Sequence, residues 1–182
     1  MGNIIVVYQS KYGSTKKYAE WLAEELSCDL IEKKNISIEK LLEYDTIIYG
    51  GGLYAGGISG INLITKNFDK LSNKNLILFT CGLADTNNKE NIDSIKNSIS
   101  KILSVEMQDK IKIFNLRGGI DYKKLNFVHK AMMKIMYNML CKKDAETLKN
   151  DDKDLIATYG DVVDFTNKTT IKPIVEYVKF KI

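Results

Sequence analysis

Val6-Val7-Tyr8-Gln9-Ser10-Lys11-Tyr12-Gly13-Ser14-Thr15-Lys16-Lys17-Tyr18-Ala19-Glu20-Trp21-Leu22 is the stretch on which the reading of this chain turns. It opens in an apolar run, Ile4 to Tyr8, of the kind a buried strand has. It closes in a helix whose apolar positions Tyr18, Leu22, Ala23 and Leu26 recur at intervals of three and four. Between them lies a turn rich in hydroxyls. A phosphate needs several hydrogen-bond donors converging on it, and a tight turn feeding a helix N-terminus supplies backbone N–H groups and a favourable dipole. Gly13 lets the backbone approach closely. The hydroxyls of Ser10, Ser14 and Thr15 add donors without adding charge. A Ser/Thr turn that merely caps the helix is the competing reading. The segment ends in no Gly-Lys-Ser/Thr and contains no G-x-G-x-x-G, so neither the Walker loop nor the nicotinamide fingerprint applies.

Outward from this segment, strand and helix signals alternate. Strands are expected at 3–8, 29–32, 45–49, 75–80 and 111–116, the third ended by Gly50, Gly51 and Gly52. Helices are expected at about 14–26, 59–71, 91–103 and 125–140, with a last one from Pro173 to about Lys179. A polar stretch follows at 144–154, and a short strand is expected at 162–165. Alternation of this kind predicts an α/β fold over a single domain, 1–182, with a parallel sheet covered on both faces. Ligands then bind beyond the carboxyl ends of the strands.

The bulk composition fits that picture. The chain has 182 residues, 45% hydrophobic and 27% charged, which suits a globular domain with a full core. No apolar run approaches the roughly 20 residues of a membrane helix, and the first residues lack the basic start of a secretion signal. Cys28, Cys81 and Cys141 are too few and too scattered for a disulfide framework or a zinc site. A reduced, cytoplasmic home is expected. The net charge is +4, yet residues 123–143 hold six lysines and no acid, leaving −2 for the rest. The basic excess is local. It suggests an anionic partner on one face rather than a nucleic-acid-coating protein, or else simply a solvated face.

The segment from Val6 to Leu22 resembles the flavodoxin signature over its whole length. That resemblance implies a flavodoxin-like fold with a five-stranded parallel sheet in the order 2-1-3-4-5, helices on both faces, and FMN as cofactor. Spacing alone implies only a phosphate. The resemblance places the phosphate on Ser10, Lys11, Tyr12, Gly13, Ser14 and Thr15. It places the isoalloxazine ring against two later loops. One holds Gly51, Gly52, Leu53, Tyr54, Ala55 and Gly56, with Tyr54 the candidate stacking residue. The other holds Thr80, Cys81, Gly82, Leu83, Ala84 and Asp85. Cys81 reads as a packing residue rather than a redox thiol.

A narrower resemblance is to the menaquinone-dependent protoporphyrinogen dehydrogenases. It rests on the phosphate loop, on Gly50 and Gly56 around Leu53, and on Leu116-Arg117 followed by a basic, Met-rich helix with Met132, Lys134 and Met136. That family has Arg and Tyr where this chain has Tyr54 and Ala55. The helix near 125–140 is an insert relative to ordinary flavodoxins. Arg117 is the only arginine, and it suits either a carboxylate-binding fork or a structural salt bridge. His129, the only histidine, reads as a surface residue of the basic helix.

The resemblance therefore implies an FMN-dependent oxidoreductase that passes reducing equivalents from a bulky anionic substrate, such as a porphyrinogen, to a quinone. Arg117, Lys130 and Lys134 would attract the substrate's carboxylates. The alternative is a flavodoxin-type electron carrier between redox proteins. The basic helix leaves two further contacts open: an anionic surface at the inner face of the membrane, and another subunit. No metal site and no nucleophilic triad is expected, and no classical catalytic residue is assigned.

Overall fold

A computed structural model describes residues 2–54 and 56–181, and of 150, 151 and 181 the backbone only. Ala55, expected in the ring loop, lies outside the described residues. The strands are β1 (Ile4–Gln9), β2 (Asp29–Glu32), β3 (Thr46–Tyr54), β4 (Gly57–Ile58), β5 (Asn75–Gly82), β6 (Lys112–Arg117), β7 (Gly119–Asp121) and β8 (Val162–Asp164). The helices are α1 (Ser14–Leu26), α2 (Ile38–Leu41), α3 (Asn62–Thr65), α4 (Phe68–Leu71), α5 (Lys89–Ile99), α6 (Val105–Lys110), α7 (Phe127–Leu140), α8 (Asn150–Ala157) and α9 (Lys172–Lys181).

Five strands pair in parallel in the order β2-β1-β3-β5-β6. Counting only these, the order is the expected 2-1-3-4-5. Alternating side chains of β1 feed two separate cores, as the two-residue period of a strand requires. Ile4, Val6 and Tyr8 pack with Tyr18 and Leu22 of α1 and with Ile174 and Val178 of α9. Ile5 and Val7 pack on the other face with Ile64, Phe68 and Leu71 of α3 and α4 and with Ile95 and Ile99 of α5. Among the described residues no helix is long and apolar enough to cross a membrane.

Several elements depart from the sequence reading. Gly50, Gly51 and Gly52 do not end β3, which continues to Tyr54 and pairs antiparallel with β4. The reason is space rather than flexibility. A Cβ on Gly50 would lie 2.1 Å from the Phe79 ring, one on Gly51 2.5 Å from Ile58, and one on Gly52 2.6 Å from the Tyr54 ring. Neighbouring side chains fill what these glycines leave open. Likewise Thr80, Cys81 and Gly82 belong to β5 rather than to a loop after it. The helix expected at 59–71 is two short ones, α3 and α4. Beyond the parallel sheet, β7 and β8 form a separate antiparallel pair. The basic helix starts at Phe127, two residues later than expected, because Asn126 caps it by accepting from the His129 N–H at 2.8 Å.

Gly50→Ala should destabilise the fold by about 1–3 kcal/mol through overpacking against the buried Phe79 ring. Urea denaturation measures the loss, and Phe79→Leu in the same background should recover part of it.

Candidate functional site

The site begins at the N-terminus of α1. Gly13 occupies the cap position with φ +104°, a backbone conformation glycine adopts at no steric cost. No side chain caps the helix and its first turn holds no acid. The first N–H groups of any α-helix lack intrahelical acceptors, so those of α1 face the turn with the positive end of the dipole. Ser10 shapes the turn, its Oγ accepting from the Gly13 N–H at 3.1 Å.

The other two hydroxyls are drawn toward the sheet. Ser14 Oγ accepts from the Gly119 N–H at 3.1 Å. Thr15 is buried, and its hydroxyl bonds the Cys81 thiol. Burial is nonetheless the larger influence on that thiol, pushing its pKa to about 12. Cys81 therefore stays a neutral thiol at ordinary pH, as expected of a packing residue.

From this helix end a cavity of about 150 Å3 runs across the carboxyl ends of β3 and β5. Thr15, Leu53, Tyr54, Cys81, Gly82 and Leu83 are among the residues lining it. It lies beside the point where the strand order reverses between β1 and β3, the position at which open parallel sheets bind ligands; the flavodoxin order is the standing example of that rule. Gly118 and Gly119, which the sequence did not single out, form one wall, and His129, Met132 and Met133 of the basic, Met-rich helix α7 form the roof. The Gly118-Gly119 pair directly after the lone arginine was the available signal. At Gly118 a Cβ would come within 2.8 Å of Cys81 Sγ.

The mouth of the cavity is aromatic. Tyr12 Oη lies 2.7 Å from His129 Nδ1. The same oxygen accepts the Asn126 N–H at 3.4 Å. Tyr54 stacks on the imidazole with centroids 5.3 Å apart and meets Tyr12 edge-on at 5.8 Å. His129 is therefore not the surface residue expected from its lysine neighbours; it ties α7 to the turn that precedes α1. Burial lowers its pKa, and Lys11 lowers it further. Burial likewise pushes Tyr54 up to about 12.

A second cavity, of about 280 Å3, adjoins the first and shares Leu83 and Ile120 with it. Ala84, Met136, Leu140 and Phe165 supply apolar walls, and Arg117 lies among them. The guanidinium sits 3.8 Å over the Phe165 ring and donates from Nε to the Leu83 carbonyl at 3.2 Å. Asp85 and Asp154 approach it at 3.6 and 3.9 Å. Lys130 and Lys134 are exposed and line neither cavity. Gly51 and Gly52 lie within β3, and Thr80 is buried in β5 with its hydroxyl donating to Asn115 Oδ1 at 2.7 Å. Gly56 turns the chain into β4 with φ +79°.

The model of the flavodoxin domain family matches residues 5–147. An uncharacterised protein of Methanocaldococcus jannaschii is 31% identical over 127 residues, covering 64% of this chain and 83% of that protein. Among solved structures, a flavodoxin, WrbA-like protein from Agrobacterium tumefaciens is 25% identical, covers 63% of this chain and 83% of its own, and superposes with a TM-score of 0.43. Oxidised flavodoxin 2 from Bacillus cereus is 17% identical, with 85% and 93% covered and a TM-score of 0.43.

His129 can be observed alone by NMR, since the chain has one histidine. Its titration midpoint should fall below the ordinary value of 6.5, and Lys11→Gln should move it upward. Because the folded value is depressed, the stability linked to His129 is present above pH 6.5 and is lost as pH falls through the folded midpoint. A midpoint at or above 6.5 would contradict the placement of the ring.

Proposed function

The chain belongs to the flavodoxin domain family, and on that premise we propose that it is an FMN-dependent oxidoreductase whose substrate sits beneath α7. The observation that carries the reading is continuity. An uncapped helix N-terminus opens directly into an apolar cavity at the carboxyl ends of the central strands. One end suits a single phosphate and the other a flat ring.

The cofactor is FMN. The N–H groups at the start of α1 would hold its phosphate with the hydroxyl protons of Ser10 and Ser14, both of which only accept in the structure, and with that of Thr15 once it turns from the Cys81 thiol; Lys11 would contribute positive charge. Leu53, Tyr54 and Leu83 give the ring apolar surface, while Gly82 and Gly118 allow close backbone approach. When bound, FMN supplies the redox chemistry. The protein's own part is to position it and to exclude water with α7. Tyr54, His129 and Cys81 all stay neutral near pH 7, so the walls place no fixed charge against the ring.

The roof favours an enzyme over an electron carrier. A carrier works best with an open ring edge, whereas here Met132 and Met133 cover the cavity and a second chamber adjoins it. That chamber is the substrate's seat. Its apolar walls suit a bulky ring system, and methionines adapt to varied shapes. The finer reading is a quinone-dependent dehydrogenase of the porphyrinogen type. The basic, Met-rich helix after Arg117 supports it. Arg117 itself is shared between Asp85 and Asp154, which leaves Lys130 and Lys134 as the cations that attract a substrate's carboxylates.

Fluorescence titration of the protein stripped of flavin tests the cofactor assignment. FMN should bind more tightly than riboflavin. Ser10→Ala with Thr15→Val should weaken FMN by at least about tenfold, since each hydrogen bond to a charged group contributes roughly 1.5–3 kcal/mol. An unchanged affinity would remove the phosphate from this turn. Turnover of protoporphyrinogen with a quinone, above the flavin-free control, tests the substrate. Absence of turnover together with rapid electron exchange with a redox protein would favour the carrier.

A further inference from the structure

Tyr12 leaves the phosphate turn in a direction that its neighbours do not take. The hydroxyls of Ser10, Ser14 and Thr15 are engaged by the turn itself or toward the sheet, at the Gly13 N–H, the Gly119 N–H and the Cys81 thiol. The Tyr12 hydroxyl instead grips the start of α7, at His129 Nδ1 and at the N–H of the capping Asn126. Among the described residues, every hydrogen bond from α7 and its cap to another element ends on that one oxygen.

The two ends of α7 are held differently. The helix contributes to neither of the two cores of the sheet, and Leu140, at its far end, is its one buried side chain. That far end is also fixed by Tyr137, stacked on Tyr159 with centroids 4.1 Å apart. At the near end Leu125, just ahead of the helix, is buried against the cavity, and the rings of Tyr12, Tyr54 and His129 meet at the cavity mouth.

We infer that Tyr12 is a positioning residue and, with His129, the gate of the first cavity: a ligand passes when the first turn of α7 parts from Tyr12 and the helix turns about its anchored far end. Tyr12 and Tyr54 belong to the sheet side, in the turn before α1 and at the end of β3, whereas His129 rides on α7. Lifting α7 at that end removes the His129 ring from the mouth together with Met132 and Met133 from the roof. The identity of what passes rests on the FMN reading above; the closing contact is present without any ligand.

Hydrogen exchange of the flavin-free protein reads the gate alone. An undocked helix of this length is marginal in water, so opening exposes its amides. Tyr12→Phe keeps the ring and removes the hydroxyl. It should speed exchange across residues 131–136 roughly threefold to tenfold, the worth of an ordinary hydrogen bond, with less effect near Leu140. His129→Leu should do the same, and His129→Gln, which can bond the Tyr12 hydroxyl, should restore slow exchange. Exchange in β1 and β3 is the internal check that the variants fold. Stopped-flow binding of FMN then reads passage. The gate closes alike over an empty and a filled cavity, so its loosening favours neither state. Tyr12→Phe should therefore raise association and release rates by similar factors and leave Kd within about twofold. Slow exchange kept in both Tyr12→Phe and His129→Leu would overturn the proposal. So would a raised Kd with an unchanged association rate, the mark of a contact that only shapes the pocket. If FMN does not bind, the cofactor reading falls and the exchange rates alone decide the gate.

Discussion

The N-terminus of α1 is the point on which the site depends. A helix that starts at the carboxyl end of a parallel strand aims its free N–H groups across the sheet edge. Here Gly13 makes that start possible without a capping side chain. The first turn then ties together the elements around it. Ser14 holds β7 through the Gly119 N–H. Lys17 reaches Asp164 at the end of β8 and Thr166 beyond it, and the buried Tyr18 donates its hydroxyl to the Arg117 carbonyl at 2.7 Å. One helical turn thus fixes the phosphate end of the site and the antiparallel pair beside the cavity.

The opposite wall is built by the absence of side chains. Three successive glycines in β3 would weaken a strand if nothing replaced their missing side chains. Phe79, Ile58 and Tyr54 fill that space, so the strand persists to Tyr54 and delivers this ring to the mouth of the cavity. There Tyr54 meets His129 and Tyr12, which come from a distant helix and from the turn before α1. The mouth is closed by three aromatic side chains from three parts of the chain. Each places a neutral polar atom at the end of an apolar body.

Helix α7 carries apolar side chains on two faces. Its inward methionines and leucine roof the cavities, and its other stripe, Val128, Ile135 and Met139, is exposed. A helix needs only one apolar face to pack on a domain. The additional exposed face is what separates α7 from α1, whose apolar residues go into the core beneath it.

The sequence by itself determined the parallel sheet, its strand order through the resemblance to flavodoxins, and the turn from Ser10 to Thr15. These are properties of local period and of short, contiguous spacing, and both survive without any knowledge of neighbours. Helix α1, for instance, was legible to its last residue. Tertiary structure alone decided the rest. Whether Gly50 to Gly52 end a strand depends on Phe79 and Ile58, which lie outside their own segment. Whether His129 is a surface residue depends on Tyr12, 117 positions away. The spacing of Val128, Ile135 and Met139 gave an apolar stripe but could not tell which way it faced. A periodic pattern specifies that a face exists; only the packing of other elements against it specifies whether that face is filled.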